Sequence, residues 1–283
     1  MGILGRNRLT AGLDIGSGFV KLVVIDHGRP EPELVRVATT PLVPDAIVDG
    51  EIIDAVAVAD TVRSLVKANG LQGKNVNAAV GGRDVIIKRI QMDRMGEPDA
   101  RAVIPWEAEQ HVPFDMENVL LDFQIMDAEA DGPQMTVLLV AAKRELIEGR
   151  VQLLADAGLT AATIDVDAFA LSNAFEHSYP ELLDGLVALV NVGNEKTNVS
   201  LLEAGMPLLV RAFPFGSRRL REALQHERGL TAEQAEAVLV GRDDGVKLRR
   251  LVREKVDDLA IALERAATFL AAQPGPPRDA RRV

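Results

Sequence analysis

The chain has no cysteine, one tryptophan, one tyrosine and only four histidines in 283 residues. Without thiols there can be no disulfide, no thiolate nucleophile and no cysteine-held metal. The histidines, His27, His111, His177 and His226, stand nowhere at paired ligand spacing, so a structural metal site is not expected. No uninterrupted apolar run approaches the ~20 residues that cross a bilayer. The opening Met1 to Arg8 has too short an apolar stretch for a signal peptide, and Arg6 stands where a myristoylation pattern wants Ser or Thr. These absences predict a soluble, cytoplasmic chain without direct membrane insertion. Positive charge is also scarce. The formal net charge is -10, and no long basic run occurs outside the last few residues, so nucleic acid is not an expected partner.

What is present is a core-forming sequence with an internal repeat. Hydrophobic residues make up 47% of the chain, and its length allows two domains or one large bilobed one. The stretch Leu13 to Gly28, beginning Leu13-Asp14-Ile15-Gly16-Ser17-Gly18, aligns without a gap on Val190 to Gly205, beginning Val190-Asn191-Val192-Gly193-Asn194. Gly16 matches Gly193, Gly28 matches Gly205 and Asp26 matches Glu203. Each copy reads as strand, tight glycine turn, strand, second turn and third strand. The third strands, Leu34 to Ala38 and Leu208 to Phe213, also echo, with Leu34-Val35-Arg36 resembling Leu209-Val210-Arg211. A repeat this widely spaced is not a solenoid and points to two similar α/β halves. Glycine turns uncover backbone N–H groups, so two of them facing one cleft could hold a phosphate chain.

Between the copies, Asp54 to Lys67 carries a helical stripe at Val58, Val62, Leu65 and Val66, closing at Asn69-Gly70. Val76 to Val80 reads as a buried strand. From Gly82 to Ala142 the pattern changes to strands at Val85 to Ile90, Val119 to Met126 and Met135 to Ala142. A short helix is expected over Pro105 to Phe114, and a turn at Asp131-Gly132-Pro133. This region is read as a small subdomain inserted into the first half. Helix Arg144 to Ala157, with Ile147, Val151 and Leu154 on one face, precedes strand Thr163 to Val166 and helix Ala168 to His177. In the second half, Thr231-Ala232-Glu233-Gln234 is a capping box. A long amphipathic helix is expected over Val246 to Ala271, on Leu248, Val252, Val256, Leu259, Leu263 and Leu270. The division is therefore Met1 to Gly185, Leu186 to Ala272, and a tail from Gln273 to Val283.

Asp14-Ile15-Gly16-Ser17-Gly18-Phe19-Val20-Lys21 resembles the first phosphate motif of the actin, Hsp70 and sugar-kinase superfamily, and Asn191 to Thr197 sits where its second would be. Ile104 to Asp115, Leu138 to Phe175 and Gly229 to Glu236 resemble the PilM family, the actin-like proteins of type IV pilus assembly. The Glu-Ala-Glu-x-x-x-Pro-Phe element at Glu107 to Phe114 is the most specific part. The resemblance implies an actin/Hsp70-like (ribonuclease H-like) α/β bilobed fold with an inserted α+β subdomain. It implies ATP and Mg²⁺ as cofactors. Gly16, Ser17, Gly18 and Lys21 would hold phosphates, while Asp14, with Asn191 opposite, would act on the metal through water. Gly193, Asn194 and Thr197 would close the site from the other side, and Gly216, Ser217 and Glu236 join the nucleotide-binding candidates. The implied partner is the N-terminal tail of a PilN-like bitopic inner-membrane protein, gripped within Gly82 to Ala142. Such a scaffold would be peripheral at the inner face of the membrane and could also self-associate.

The departures temper the enzymatic side of this expectation. Asn191 stands where the superfamily usually has aspartate, and an amide can neither act as a base nor add charge towards a metal. Leu239 replaces a lysine that relatives often carry near the ribose. A glycine-rich adenosine motif, expected beyond the long helix, is absent from this sequence, so closing strands of the second half are not expected. Little or no ATP turnover follows. The alternatives are a sugar-kinase-like phosphotransferase, whose base could only be Asp165 or Asp167, and an FtsA-like filament subunit. Helix capping is the simpler reading of Asp167. Neither a dinucleotide fingerprint nor a P-loop, G-x-S-x-G elbow or H-E-x-x-H motif is present.

Overall fold

The computed structural model describes residues 9–71, 73–127 and 132–242, with single positions at 256, 257, 260, 261 and 264. Apart from those single positions, the long helix expected over Val246 to Ala271 lies outside the described residues, as do the tail and Asp131 of the expected turn. The chain divides between Ala174 and Phe175 into two compact units.

In the first unit, β1 (Leu9–Ile15), β2 (Phe19–Asp26) and β3 (Glu33–Pro41) form an antiparallel meander. A small hairpin, β4 (Ile47–Val48) and β5 (Glu51–Ile52), leads to α1 (Ala55–Ala68). Asp54 caps α1 by accepting from the Ala57 N–H at 2.9 Å. The expected stripe is the buried one: Val58, Val62, Leu65 and Val66 all lie in the core. β6 (Asn75–Val80) then pairs parallel with β1.

The next segment builds a sheet of its own. β7 (Val85–Asp93), β8 (Val119–Ile125) and β9 (Gln134–Lys143) pair antiparallel in the order β7-β9-β8. Their core of Ile90, Met92, Val137 and Leu139 is separate from the one beneath β1 and β2. The helix packed on it, α2 (Glu97–Glu109), differs from the expectation: it begins eight positions before Pro105 and ends ahead of Pro113, with Pro105 inside it. The start signal is in the sequence, Gly96 followed by Glu97-Pro98-Asp99, where a first-turn proline loses no hydrogen bond and two acids face the helix dipole.

α3 (Arg144–Asp156) returns the chain to the first sheet. Its buried residues are Leu153 and Leu154, whereas Val151 is exposed, so the inward face is rotated from the one read along Ile147, Val151 and Leu154. β10 (Thr160–Val166) completes the sheet in the order β10-β6-β1-β2-β3, with β10, β6 and β1 parallel. α4 (Asp167–Ser178) follows and crosses the unit boundary.

The second unit opens with β11 (Leu186–Val192), β12 (Thr197–Glu203) and β13 (Met206–Phe213). It repeats the first meander pair by pair. Leu9↔Asp26 becomes Leu186↔Glu203, and Ile15↔Val20 becomes Val192↔Thr197. The register shift between Val24 and Ile25 recurs between Leu201 and Leu202. The third strands correct one detail of the repeat. Val24 faces Arg36 and its counterpart Leu201 faces Leu209, so Arg36 corresponds to Leu209, not Arg211. The turn before β13 is shorter than the one before β3, which slides the similar letters out of register. α5 (Ser217–Arg228) and α6 (Ala232–Leu239) pack together through Leu224, Ala235 and Val238. The capping box at Thr231 and Gln234 is formed in both directions. α5 was not anticipated, because only Leu220, Ala223 and Leu224 interrupt its charged and polar residues.

Candidate functional site

The two glycine turns are built alike. The Gly16 N–H donates to the Phe19 carbonyl at 3.0 Å, and the Gly193 N–H donates to the Lys196 carbonyl at 2.8 Å. Neither glycine therefore offers its own N–H to a ligand; each closes its turn, and its lack of a side chain is what permits the closure. A Cβ on Gly193 would stand 2.8 Å from the Lys196 oxygen, and one on Gly16 3.3 Å from that of Phe19.

The turns differ in their surroundings. Beside the first turn, Lys21 Nζ lies 2.8 Å from Asp14 Oδ2, and both side chains are more than half exposed. An exposed ammonium and carboxylate beside a Gly-Ser-Gly turn suit a phosphate chain and its hydrated cation. Around Gly193 the donors are engaged. The leading N–H groups of α5, from Ser217 and Arg218, donate to the Gly193 and Asn194 carbonyls at 2.9 and 2.8 Å. Gly216 is pressed so close that a Cβ there would fall 2.6 Å from the Glu195 nitrogen. Thr197 is fully buried and its hydroxyl donates to the Phe215 carbonyl at 2.7 Å. Asn191 is exposed at the end of β11. Glu236 pairs with Arg221 at 2.9 Å, and Leu239 packs into the α5–α6 core.

At the carboxyl ends of the parallel strands in the first unit, a further charged group assembles. Asp167 is the first residue of α4. The side chain that bonds the backbone at this corner is that of Asp165, accepting from the Val166 N–H at 2.7 Å. The Asp167 carboxylate lies over Gly81, just beyond β6. Protein crowds it, although a face stays open to solvent. Lost hydration pushes its carboxyl above the usual range, the Asp14 charge adds to this, and Arg150 opposes it. Arg150 reaches this group from α3. Its Nε and Nη1 are buried without hydrogen-bond partners, and burial lowers its proton affinity against the pull of Asp167 and Asp14.

Nearby is a cavity of about 420 Å³. One wall is β8, where five consecutive residues, Leu120 to Gln124, line it. Successive strand residues point to opposite faces, so a continuous run means that the strand edge itself borders the space. Opposite lies Ile164-Asp165-Val166 of β10. β8 and β10 are each the outer strand of their sheet. Phe123, Leu138, Val140, Ile147 and Phe169 make the floor apolar. Among the described residues no group of His, Asp or Glu side chains is arranged to hold a metal by itself, and no helix is long and apolar enough to cross a membrane.

A family model described as type IV pilus assembly protein PilM matches residues 12–266, nearly the whole sequence. The chain belongs to the PilM family. A solved structure titled PilM-PilN type IV pilus biogenesis complex is 28% identical to this PilM family member, at a TM-score of 0.80. That match covers 94% of this chain and 79% of the other. Ethanolamine utilization protein EutJ from Carboxydothermus hydrogenoformans shares the fold at 19% identity and a TM-score of 0.56, covering 93% of this chain and 73% of its own. The fold is thus the actin-like one of PilM. The motifs led to that family, but Arg150 and the Gly81–Asp167 contact were not foreseen. A lone arginine among helix residues carries no signal until the strand ends that converge on it are known.

Proposed function

We propose that this chain is a cytoplasmic, actin-like scaffold of the type IV pilus assembly platform, docked at the inner membrane by gripping the N-terminal tail of a PilN-like membrane protein. The observation that carries this reading is the groove between the open edges of β8 and β10, in a chain 28% identical to a PilM solved with PilN. An extended peptide entering it can add to a sheet edge by main-chain hydrogen bonds and seat alternate side chains on the apolar floor. The net charge of -10 disfavours direct attachment to anionic lipid, so recruitment through a protein is the consistent route.

The first glycine turn would take the phosphates of ATP, with Gly16, Ser17 and Gly18 lining them, Lys21 as a point charge and Asp14 meeting Mg²⁺ through water. The metal's contribution would be charge neutralisation between phosphate oxygens. Gly193, Asn194, Thr197, Gly216 and Ser217 build the second turn. With its amides engaged and an amide side chain at Asn191, nucleotide serves here to bias conformation, with little turnover.

Calorimetric titration with a synthetic PilN N-terminal tail peptide, followed by a phosphate-release assay with Mg-ATP, tests this. Saturable peptide binding with negligible phosphate release is expected. Absence of peptide binding, or rapid turnover on a sugar, would overturn it.

A further inference from the structure

Helix α2 has two apolar sides. Inward, Ala100, Ile104 and Ala108 are buried in the core of the inserted sheet. Outward, Pro98, Ala102, Pro105 and Trp106 fall at helical spacing on the opposite face, and all of them are exposed. Trp106, the only tryptophan of the chain, is 71% exposed. Single apolar residues on a surface need no explanation. Here, however, the stripe is continuous, and helix stability does not account for it. A proline inside a helix removes a hydrogen bond, in this case the one to the Arg101 carbonyl, and the exposed Pro105 recovers nothing by burial.

The chemistry around the indole indicates what would cover it. Helical side chains lean towards the N-terminus, so Trp106 lies over the turn that carries Ala102, whose methyl group leaves the ring largely bare. On the same side stand two exposed carboxylates, Asp99 two turns before it and Glu109 one turn after it. Against Glu97, Asp99, Glu107 and Glu109, α2 carries one cation, Arg101, and that one is engaged. It donates to Glu97 at 3.0 Å and stands 5.1 Å over the centre of the Phe123 ring. An open indole face flanked by acids fits a guanidinium or ammonium, which can lie on the ring and pair with Glu109 at once. The same acids repel anionic lipid and nucleic acid, so the occupant is a protein. A helix surface offers ridges and grooves and no strand edge, so the complementary element is another helix.

We infer that the outward face of α2, centred on Trp106, docks a basic amphipathic helix of a partner protein, with one Arg or Lys of that helix on the indole and beside Glu109. None of these residues lines the β8–β10 groove. The surface is a second one, and its assignment does not rest on the docking reading given above.

As the only tryptophan, Trp106 reports on its own face. The probe is a synthetic amphipathic helical peptide of leucine, alanine and arginine, titrated into the full chain by fluorescence and by calorimetry. A control peptide carries glutamate at each arginine position. The expected result is a saturable change in Trp106 emission with the arginine peptide and none with the control. Trp106→Ala should lower the calorimetric affinity about fivefold, the value of one cation–π contact. Glu109→Lys should lower it as well while leaving the indole in place. Both substitutions lie on the exposed side of α2, and circular dichroism should show the fold unchanged. Arginine-peptide binding of equal strength in Trp106→Ala, with Trp106 emission unaltered in the parent, would overturn the inference, because it would reflect only general attraction to a chain of charge -10. Absence of binding to the parent chain would overturn it too. Either failure leaves the groove reading standing.

Discussion

Asp167 occupies the place that a side chain at Gly81 would take: a Cβ there would stand 2.9 Å from the Asp167 Cγ and nearer still to Oδ2. All three close atoms belong to the aspartate side chain, which can swing aside. Gly81→Ala should therefore lower stability only modestly, by about 1 kcal/mol. Chemical denaturation checks this, and hydrogen exchange should place the change at the β10–α4 corner.

Gly216 is the contrasting case. The atoms its Cβ would meet are the Asn194 carbonyl and the Glu195 nitrogen, all backbone, in a turn tied to α5 by two hydrogen bonds. Nothing there can step aside cheaply. Gly216→Ala should destabilise the second unit by about 3 kcal/mol. The loss should appear as faster exchange of the β11–β12 amides, with the β1–β2 amides unchanged.

Gly149 should behave in the opposite way. It lies inside α3, and beyond its chain neighbours and the helix's own backbone nothing stands within 4 Å of where a Cβ would go. Gly149→Ala trades backbone freedom in the unfolded chain for helix propensity, and should stabilise the first unit by about 1 kcal/mol. A raised thermal midpoint reads it out.

These three glycines illustrate what the letters could and could not reveal. The repeat was legible because each meander needs the same alternation and the same closing glycine, so register and bulge recur together. The helix at Ala55–Ala68 was legible because its stripe and its Asp54 cap agree. The third-strand match failed because a shorter turn changes register while leaving local composition similar. The first glycine turn was recognisable as a turn, but its hydrogen bonding was not: that the Gly16 N–H closes onto the Phe19 carbonyl is something residue types do not encode. The groove was placed only broadly, within Gly82 to Ala142. Ile164, Asp165, Val166 and Phe169 of the cavity wall come from β10 and α4, outside that range, and only the folded chain juxtaposes them with β8.

Lys143 supplies a pH test. Its ammonium lies 2.8 Å from Asp84 Oδ1 and 5.2 Å from the centre of the Phe114 ring, joining the two ends of the β7-β9-β8 segment. The hydrogen bond to Asp84 raises its proton affinity above the ordinary value of 10.5, with the Asp84 and Glu145 charges adding to it against some desolvation. A group whose folded pKa is raised contributes stability in full below its unfolded pKa, and loses it as pH climbs through the folded value. Lys143→Met should therefore be less stable than the parent chain at neutral pH. That deficit should shrink above pH 10.5, as seen in denaturation midpoints from neutral to strongly alkaline pH. A deficit unchanged over that range would mean that lost packing on Phe114 is the cause.

The groove makes a final prediction about the peptide itself. If affinity came from side-chain pockets alone, alkylating the peptide backbone would matter only where it clashed. Pairing along a strand edge has a different signature, because successive N–H groups of an extended peptide point to opposite sides and only every second one faces β8. N-methylation at alternate positions of the PilN tail should weaken binding about 3- to 10-fold per site, the value of one hydrogen bond. Methylation at the intervening positions should have little effect unless those amides reach β10. In that event both sets would weaken binding, and the peptide would be bridging the two sheets across Asp165. A third outcome, indifference at every position while Phe123→Ala abolishes binding, would leave the apolar floor as the sole anchor and rule out strand addition.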